Sequence, residues 1–400
     1  MSHILVLSMA FDRERGGGSV RIAYDLANLL SSRGYKITVV CEDLFSRDIE
    51  CEKINGITVL RYKLLHKFGL TLRNPYEHII AVKRLINRYL NNPPNVIHGH
   101  HLLQYTAALD LLQSYSKSCY TVHSPNVDEL NINWSIRKGL KGKIKTWLGL
   151  PIIRWVEKGI LERSSVITTL SDYTSMLIAS HYGTTIARKI RKISGWVDIE
   201  KFHPVNRSEL DLARKQLQWP TDKKIVFVLR RLESRMGLDN LILALALVKK
   251  SGFKLVTYIG GSGTLLEHLK NLRNSLGLQD DVVFMGFLPS NQMMLAYKAC
   301  DICIIPTAKL ECFGIIALEA LASGKPTLVT PIGSLPEILN DFEPQWIADN
   351  STPESINKLI IHYLRGLLPF HEPEELYAIV KEKYSKEVAV SAYENVLSGK

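Results

Sequence analysis

Four hundred residues, 46% of them hydrophobic and 22% charged, exceed one ordinary hydrophobic core and suit two folded domains rather than a disordered chain. Fifty Lys and Arg against 39 Asp and Glu leave a net charge of +11, compatible with phosphorylated substrates, anionic lipid or nucleic acid. No apolar run reaches the roughly 18 residues of a membrane span, and zinc-finger, aromatic RNA-binding and basic-heptad patterns are missing, so neither an integral membrane protein nor a nucleic-acid partner is expected.

The chain opens on HILVLSM, a buried-strand pattern too short for a signal-peptide core and without a basic leader, so a cytoplasmic protein is expected. Next comes RERGGGSVRIAYDLANLL, where glycines 16 to 18 precede a helix with Ile22, Ala23, Leu26, Leu29 and Leu30 at helical spacing. Amides at such a helix start can cradle an anion. The loop lacks the dinucleotide G-x-G-x-x-G, which disfavours a nicotinamide oxidoreductase. Further strand patterns follow at ITVVC, GITVLRY, VIHGH, CYTVH and VITTL, then at KIVFVLR, KLVTYIG, VVFMGF, ICIIP and PTLVT, with helical patterns between them.

Near-continuous apolar strands separated by helices predict parallel sheets covered on both faces. The expected fold class is α/β, with two doubly wound Rossmann-like domains facing a cleft and ligands beyond the carboxyl ends of the strands. The expected domains are 1–203 and 204–375, divided in the polar, proline-bracketed stretch DIEKFHPVNRSELDLARKQLQWPTDKK, with helices in 376–400 packing back on the first domain. The six cysteines form no disulfide framework, and the C-x-x-C of Cys300 and Cys303 falls in a strand pattern that predicts core packing.

Two constellations follow strands of the second half. VFVLRRLESRMGLDNLI gathers Arg230, Arg231 and Arg235 at a turn before a helix. TAKLECFGIIALEALASGKP holds Glu311 and Glu319 eight apart; on one continuous helix they would stand about 80° apart in azimuth. A better arrangement places Glu311 in the loop and Glu319 in a helix that starts near Gly314, with free N–H groups beside Glu311. In VIHGHHLLQY, His98, His100 and His101 lack a matching carboxylate or cysteine cluster, so strand-end exposure or polar lining is expected rather than a metal site.

This second stretch resembles the E-x7-E element of family 4 of the retaining glycosyltransferases, through Glu311, Phe313, Gly314 and Glu319, followed by GSLPE. Gly17 and Gly18, CYTVHSPN ending a strand at His123, TLSDYT, SGWVDIEKFHP and VTYIGGSG are similar to other family motifs in the same order. The resemblance implies a glycosyltransferase B-type fold, an acceptor-binding first half, a nucleotide-sugar-binding second half and retaining transfer, usually without metal or other cofactor. It implies that Glu311 meets donor-sugar hydroxyls, Glu319 the ribose, and the amides of Cys312, Phe313, Gly314 and Ile315 the diphosphate or sugar. His123 is expected near the donor sugar, and Gly17 and Gly18 beside the donor.

The family usually places Arg-Leu, three residues and Lys-Gly at the turn after the first donor-domain strand, both cations on the diphosphate. Arg231 and Leu232 match, but Met236 stands at the lysine position and Arg235 one residue earlier. Arg235 is expected to supply the second cation; the alternative is a catalytically silent nucleotide-sugar-binding or scaffolding subunit. Arg230 receives no role. The implied partners are a nucleoside-diphosphate sugar and a saccharide or lipid-linked saccharide acceptor, in polysaccharide or glycoconjugate biosynthesis. Residues 133–163 mix seven Lys or Arg between 137 and 158 with Trp134, Trp147 and Trp155, a composition that suits peripheral contact with an anionic membrane surface.

Overall fold

The computed structural model describes residues 2–13, 17–44, 47–64, 75–135, 147 and 149–398. Its first unit contains strands β1 (His3–Leu7), β2 (Lys36–Glu42), β3 (Cys51–Ile54), β4 (Ile57–Tyr62), β5 (Val96–Gly99), β6 (Lys117–Val122), β7 (Val166–Thr169) and β8 (Ile190–Lys192). Among the described residues they form one sheet in the order β3-β4-β2-β1-β5-β6-β7-β8. All neighbours pair in parallel except β3 with β4. In the second unit β9 (Lys224–Leu229), β10 (Leu255–Gly260), β11 (Val282–Gly286), β12 (Ile302–Ile305) and β13 (Thr327–Val329) form a parallel sheet in the order β11-β10-β9-β12-β13.

These runs become central strands because both of their faces are covered. Ile4 to Leu7 in β1 and Ile225 to Val228 in β9 are buried without alternation. Helix Gly18–Ser32 buries Val20, Ile22, Ala23, Leu26, Ala27 and Leu30, close to the stripe expected from spacing, while Leu29 is only half-buried. In each sheet the winding reverses at the first strand, β1 lying between β2 and β5, and β9 between β10 and β12. Connections from such neighbours leave toward opposite faces, so the carboxyl ends of β1 and β5, and of β9 and β12, are where each unit can admit a ligand.

The chain divides between Ser194 and Gly195 rather than near 203, because Trp196, Val197 and Phe202 are buried in the second unit. Phe202 packs edge-on against Tyr297 with ring centroids 5.6 Å apart, and Val197 bridges Ser385. The proline-bracketed stretch forms helix Arg207–Leu217, closed by a reciprocal capping box between Asn206 and Glu209. Only Ala389–Lys400 joins the first unit; helix Pro373–Tyr384 stays with the second, where Leu376 and Val380 are buried. Tyr393 anchors the terminal segment, its hydroxyl 3.4 Å from Thr121 Oγ1 and its ring 5.5 Å from that of His98. Cys300 and Cys303 are buried free thiols, their sulfurs 3.7 Å apart.

Candidate functional site

At the end of β9 the backbone decides which arginine goes where. Arg230 N–H continues the ladder to Gly260 O at 2.9 Å, and Leu232 N–H reaches Ser262 O at 3.0 Å. The two turns press together so closely that a Cβ on Gly261 would lie 1.8 Å from Arg230 O, at a φ of +134° that only glycine adopts readily. The glycine-rich VTYIGGSG turn therefore seats the neighbouring strand end. Successive residues of an extended chain face opposite sides, so Arg230 and Arg231 separate. Arg230 is buried, while Arg231 is exposed.

The guanidinium of Arg230 donates from Nη2 to the carboxylate of Glu311 and to the hydroxyl of Thr307, and Thr307 donates to the same Glu311 oxygen, Oε2, at 3.1 Å. Both partners come from the loop after β12. Arg235 braces that loop from the other side: its carbonyl accepts the N–H groups of Ala308 at 2.9 Å and Lys309 at 3.1 Å, and its Nη1 donates to Leu310 O at 2.7 Å. Met236 is buried. Leu310, at a φ of +51°, turns the chain so that Glu311 points back at Arg230.

The Glu311 main chain is held as firmly as its side chain. Its carbonyl accepts Ser334 N–H at 2.8 Å, and a Cβ on Gly333 would stand 2.1 Å from that oxygen. This accounts for the glycine of the GSLPE turn. Burial alone pushes the Glu311 carboxyl up, but the charge and hydrogen bond of Arg230, the charge of Arg235 and the Thr307 hydroxyl outweigh it and hold the carboxyl below its usual range. Glu311 is an ionised acceptor at neutral pH.

Helix Ile315–Ala322 starts at Gly314 as spacing predicts, with neither a side-chain cap nor an acidic residue in its first turn. Cys312 and Phe313 are buried between Glu311 and the helix, and the Phe313 ring lies over Gly195, where a Cβ would come within 2.3 Å. Glu319 is buried one turn further on and accepts the Tyr297 hydroxyl at 3.1 Å. The loop thus gathers Glu311, an uncapped helix start, Arg230 and Arg235, with Arg231 at its edge in sequence and Glu319 beneath.

In the first unit Gly17 is the extended N-cap of helix Gly18–Ser32, which has no side-chain cap, and a Cβ at Gly17 or Gly18 would meet nothing within 4 Å. Packing does not require these glycines. Gly16 lies outside the described residues. Of strand-end exposure and polar lining, the two expectations for His98 and His100, exposure does not hold, because both are buried. The parallel pairing of β5 with β6 lays them beside the end of β6, where His100 Nδ1 meets His123 Nε2 at 2.9 Å and His98 Nε2 meets Thr121 Oγ1 at 2.8 Å. Burial, aided by neighbouring imidazoles, lowers all three, His98 to about 3 and His123 to about 4. No group of three or more His, Cys, Asp or Glu among the described residues is arranged to hold a metal ion.

Residues 16–201 match the family model described as Glycosyltransferase Family 4, and residues 211–375 match that of Glycosyl transferases group 1. The chain belongs to the family 4 glycosyltransferases. As a family member it is an enzyme of the glycosyltransferase class. An uncharacterised glycosyltransferase of Methanocaldococcus jannaschii is 34% identical over 145 residues, 36% of either chain. A Mycobacterium tuberculosis GDP-mannose-dependent α-(1-6)-phosphatidylinositol monomannoside mannosyltransferase is 24% identical over 91% of this chain and 89% of its own. Among solved structures, the sucrose-phosphate synthase of Thermosynechococcus elongatus superposes with a TM-score of 0.79 at 18% identity over the whole of both chains, which shows the shared B-type fold of two Rossmann-like domains.

Sequence reasoning missed Arg230, Thr307 and Tyr297. For Arg230 the available signal was alternation: of two arginines ending a buried strand, one must face inward. Thr307 and Tyr297 carry no comparable signal, because their roles depend on which strands become neighbours. Part of the basic segment, residues 136–146 and 148 with Lys138, Lys141, Lys143 and Lys145, lies outside the described residues. Of its described part, helix Leu150–Arg163 buries Glu157, Ile160 and Leu161 and exposes Ile152 and Trp155, with Trp147 exposed ahead of it. No helix among the described residues is long and apolar enough to cross a membrane.

Proposed function

We propose that this family member transfers a sugar from a nucleoside-diphosphate donor to a hydroxyl of a saccharide or lipid-linked saccharide with retention of anomeric configuration, in glycoconjugate or polysaccharide assembly. The observation that carries the reading is Glu311, ionised and clamped beside an uncapped helix start at the carboxyl end of β12. On this reading Glu311 meets donor-sugar hydroxyls and Glu319 the ribose. The amides from Cys312 to Ile315, with Arg231 and Arg235, take up the charge that accumulates on the departing diphosphate. Fixed dipoles and cations need no proton transfer at that moment, which lowers the barrier. On the same reading the first unit binds the acceptor, with His123, Gly17 and Gly18 as its own candidate residues. The acceptor hydroxyl attacks on the face that the diphosphate leaves, and the leaving phosphate takes its proton.

The mycobacterial relative's GDP-mannose donor and phosphatidylinositol-linked acceptor support a sugar nucleotide and a lipid-linked saccharide here. A panel of nucleotide sugars tested by thermal shift is expected to yield one that stabilises the protein by about 2.7 kcal/mol at a hundredfold excess over its dissociation constant. Arg231→Ala and Arg235→Ala should each weaken that ligand by about tenfold or more, as loss of a charge-assisted phosphate contact does. Arg235→Ala binding the donor as wild type does, while Arg231→Ala fails, would reduce Arg235 to a brace for Leu310.

The exposed Ile152 and Trp155 lie on the side of helix Leu150–Arg163 away from its buried residues, with Lys158 one turn beyond Trp155. We infer that this face, continuing the basic stretch before it, rests peripherally on an anionic membrane surface. Cosedimentation with phosphatidylserine-containing vesicles should fall sharply in Ile152→Ser/Trp155→Ser and in a variant with Lys138, Lys141, Lys143 and Lys145 neutralised. Unchanged cosedimentation of both variants removes the membrane from the reading.

A further inference from the structure

We propose that Arg230 is a positioning residue of the donor site: it fixes one oxygen of the Glu311 carboxylate and leaves the other as the acceptor that a hydroxyl of the donor sugar meets. This rests on the role proposed for Glu311. Its basis is the uneven distribution of bonds around that carboxylate. Arg230 and Thr307 both bond Oε2, and Oε1 receives no hydrogen bond from the described residues. The Arg230 side chain is 6% exposed and that of Glu311 11%, so water cannot readily take over the clamp.

A guanidinium is a planar, permanently charged fork, and a carboxylate tied to it keeps its remaining lone pairs in one direction. Ionised, Glu311 can only accept, so the sugar atom facing Oε1 must carry a proton: a hydroxyl fits, and the carboxylate of an acidic sugar is repelled. Arg230 therefore acts through Glu311 and not on the substrate. Arg231, on the other side of the strand end, has no route to this role.

The test separates the sugar from the nucleotide. Full-length wild type, Arg230→Met and Arg230→Lys are titrated calorimetrically with UDP, GDP, UDP-glucose and GDP-mannose between about pH 6 and 8. For whichever sugar nucleotide the wild type prefers over its bare diphosphate, Arg230→Met should bind about tenfold or more weakly at pH 7 and recover as pH rises, because burial then opposes ionisation of Glu311 without a counter-charge. Its affinity for the bare diphosphate should stay within about twofold, and Arg230→Lys, which restores the charge, should lose the pH dependence. If Arg230→Met no longer binds the diphosphate, Arg230→Gln, which keeps a donor without the charge, is titrated in its place. Sugar-nucleotide binding by the uncharged variant that equals wild type at every pH overturns the proposal and leaves the donor reading intact. A wild type that favours no sugar nucleotide over its diphosphate overturns the donor reading, and the proposal with it.

Discussion

Glu311→Ala is expected to destabilise the second unit by about 3–5 kcal/mol, because it leaves the buried guanidinium of Arg230 without its carboxylate. A buried ion pair adds little net stability while intact, since desolvating both charges offsets their attraction; removing one partner exposes the whole desolvation cost. The double variant Arg230→Met/Glu311→Leu should therefore recover most of the loss in urea unfolding. Sugar transfer should behave differently, falling by about two to three orders of magnitude in Glu311→Ala and staying low in the double variant, as when a preorganised polar contact to the reacting group is removed. Stability and activity that recover together would show that Glu311 serves only the fold. Glu311→Ala as stable as wild type would show that the pair does not form.

The first unit should lose stability steeply as the pH falls below 6.5, at a pH where the second unit is still intact. His98, His100 and His123 are all held neutral by burial, with His98 down to about 3 and His123 to about 4 from an ordinary value of 6.5. A histidine whose folded value is lowered binds its proton more readily in the unfolded chain. Stability therefore rises with pH between the folded and unfolded values and is fully present only above 6.5. Each such imidazole removes about 1.4 kcal/mol per pH unit on the way down. At pH 5 His98 and His123 together remove about 4 kcal/mol, a large part of the 5–15 kcal/mol typical of a folded domain.

Glu311 acts in the same sense, but at lower pH. Its folded value is lowered, so its contribution is present above the ordinary carboxylate value of 4.5 and is lost only as the pH falls through the lower folded value. Urea unfolding at pH 7.5 and pH 5, followed by circular dichroism, should split into two transitions at the lower pH, the weaker reporting the first unit. Identical midpoints at both values would mean that the imidazoles accept protons in place, solvated by water.

Much of the fold was legible because parallel strands buried on both faces write themselves as uninterrupted apolar runs. β1, β9, β10 and β12 stand out for that reason. β3 and β8 did not: CEKI and IRK are edge strands of four and three residues, exposed or half-buried throughout, and their pairing comes from neighbours rather than from their own pattern. The domain boundary was expected near 203 because DIEKFHPVNRSELDLARKQLQWPTDKK reads as a polar stretch between domains, although Phe202 within it is buried in the second unit.

By itself the sequence determined the two-unit α/β class, the start of the helix at Gly314 and the placement of Glu311 in a loop, since local periodicity and glycine positions carry these; the family came from the resemblance of its ordered motifs. The tertiary structure alone decided which arginine meets Glu311, because that depends on the pleat at the end of β9 and on β12 lying beside it. It likewise decided that Arg235 braces Leu310, that Gly261 and Gly333 seat carbonyls of distant turns, and that the buried His98 and His100 cluster with the half-buried His123 at the ends of two strands. Each of these joins residues far apart in the chain through strand order and register, and single-chain spacing holds no record of either.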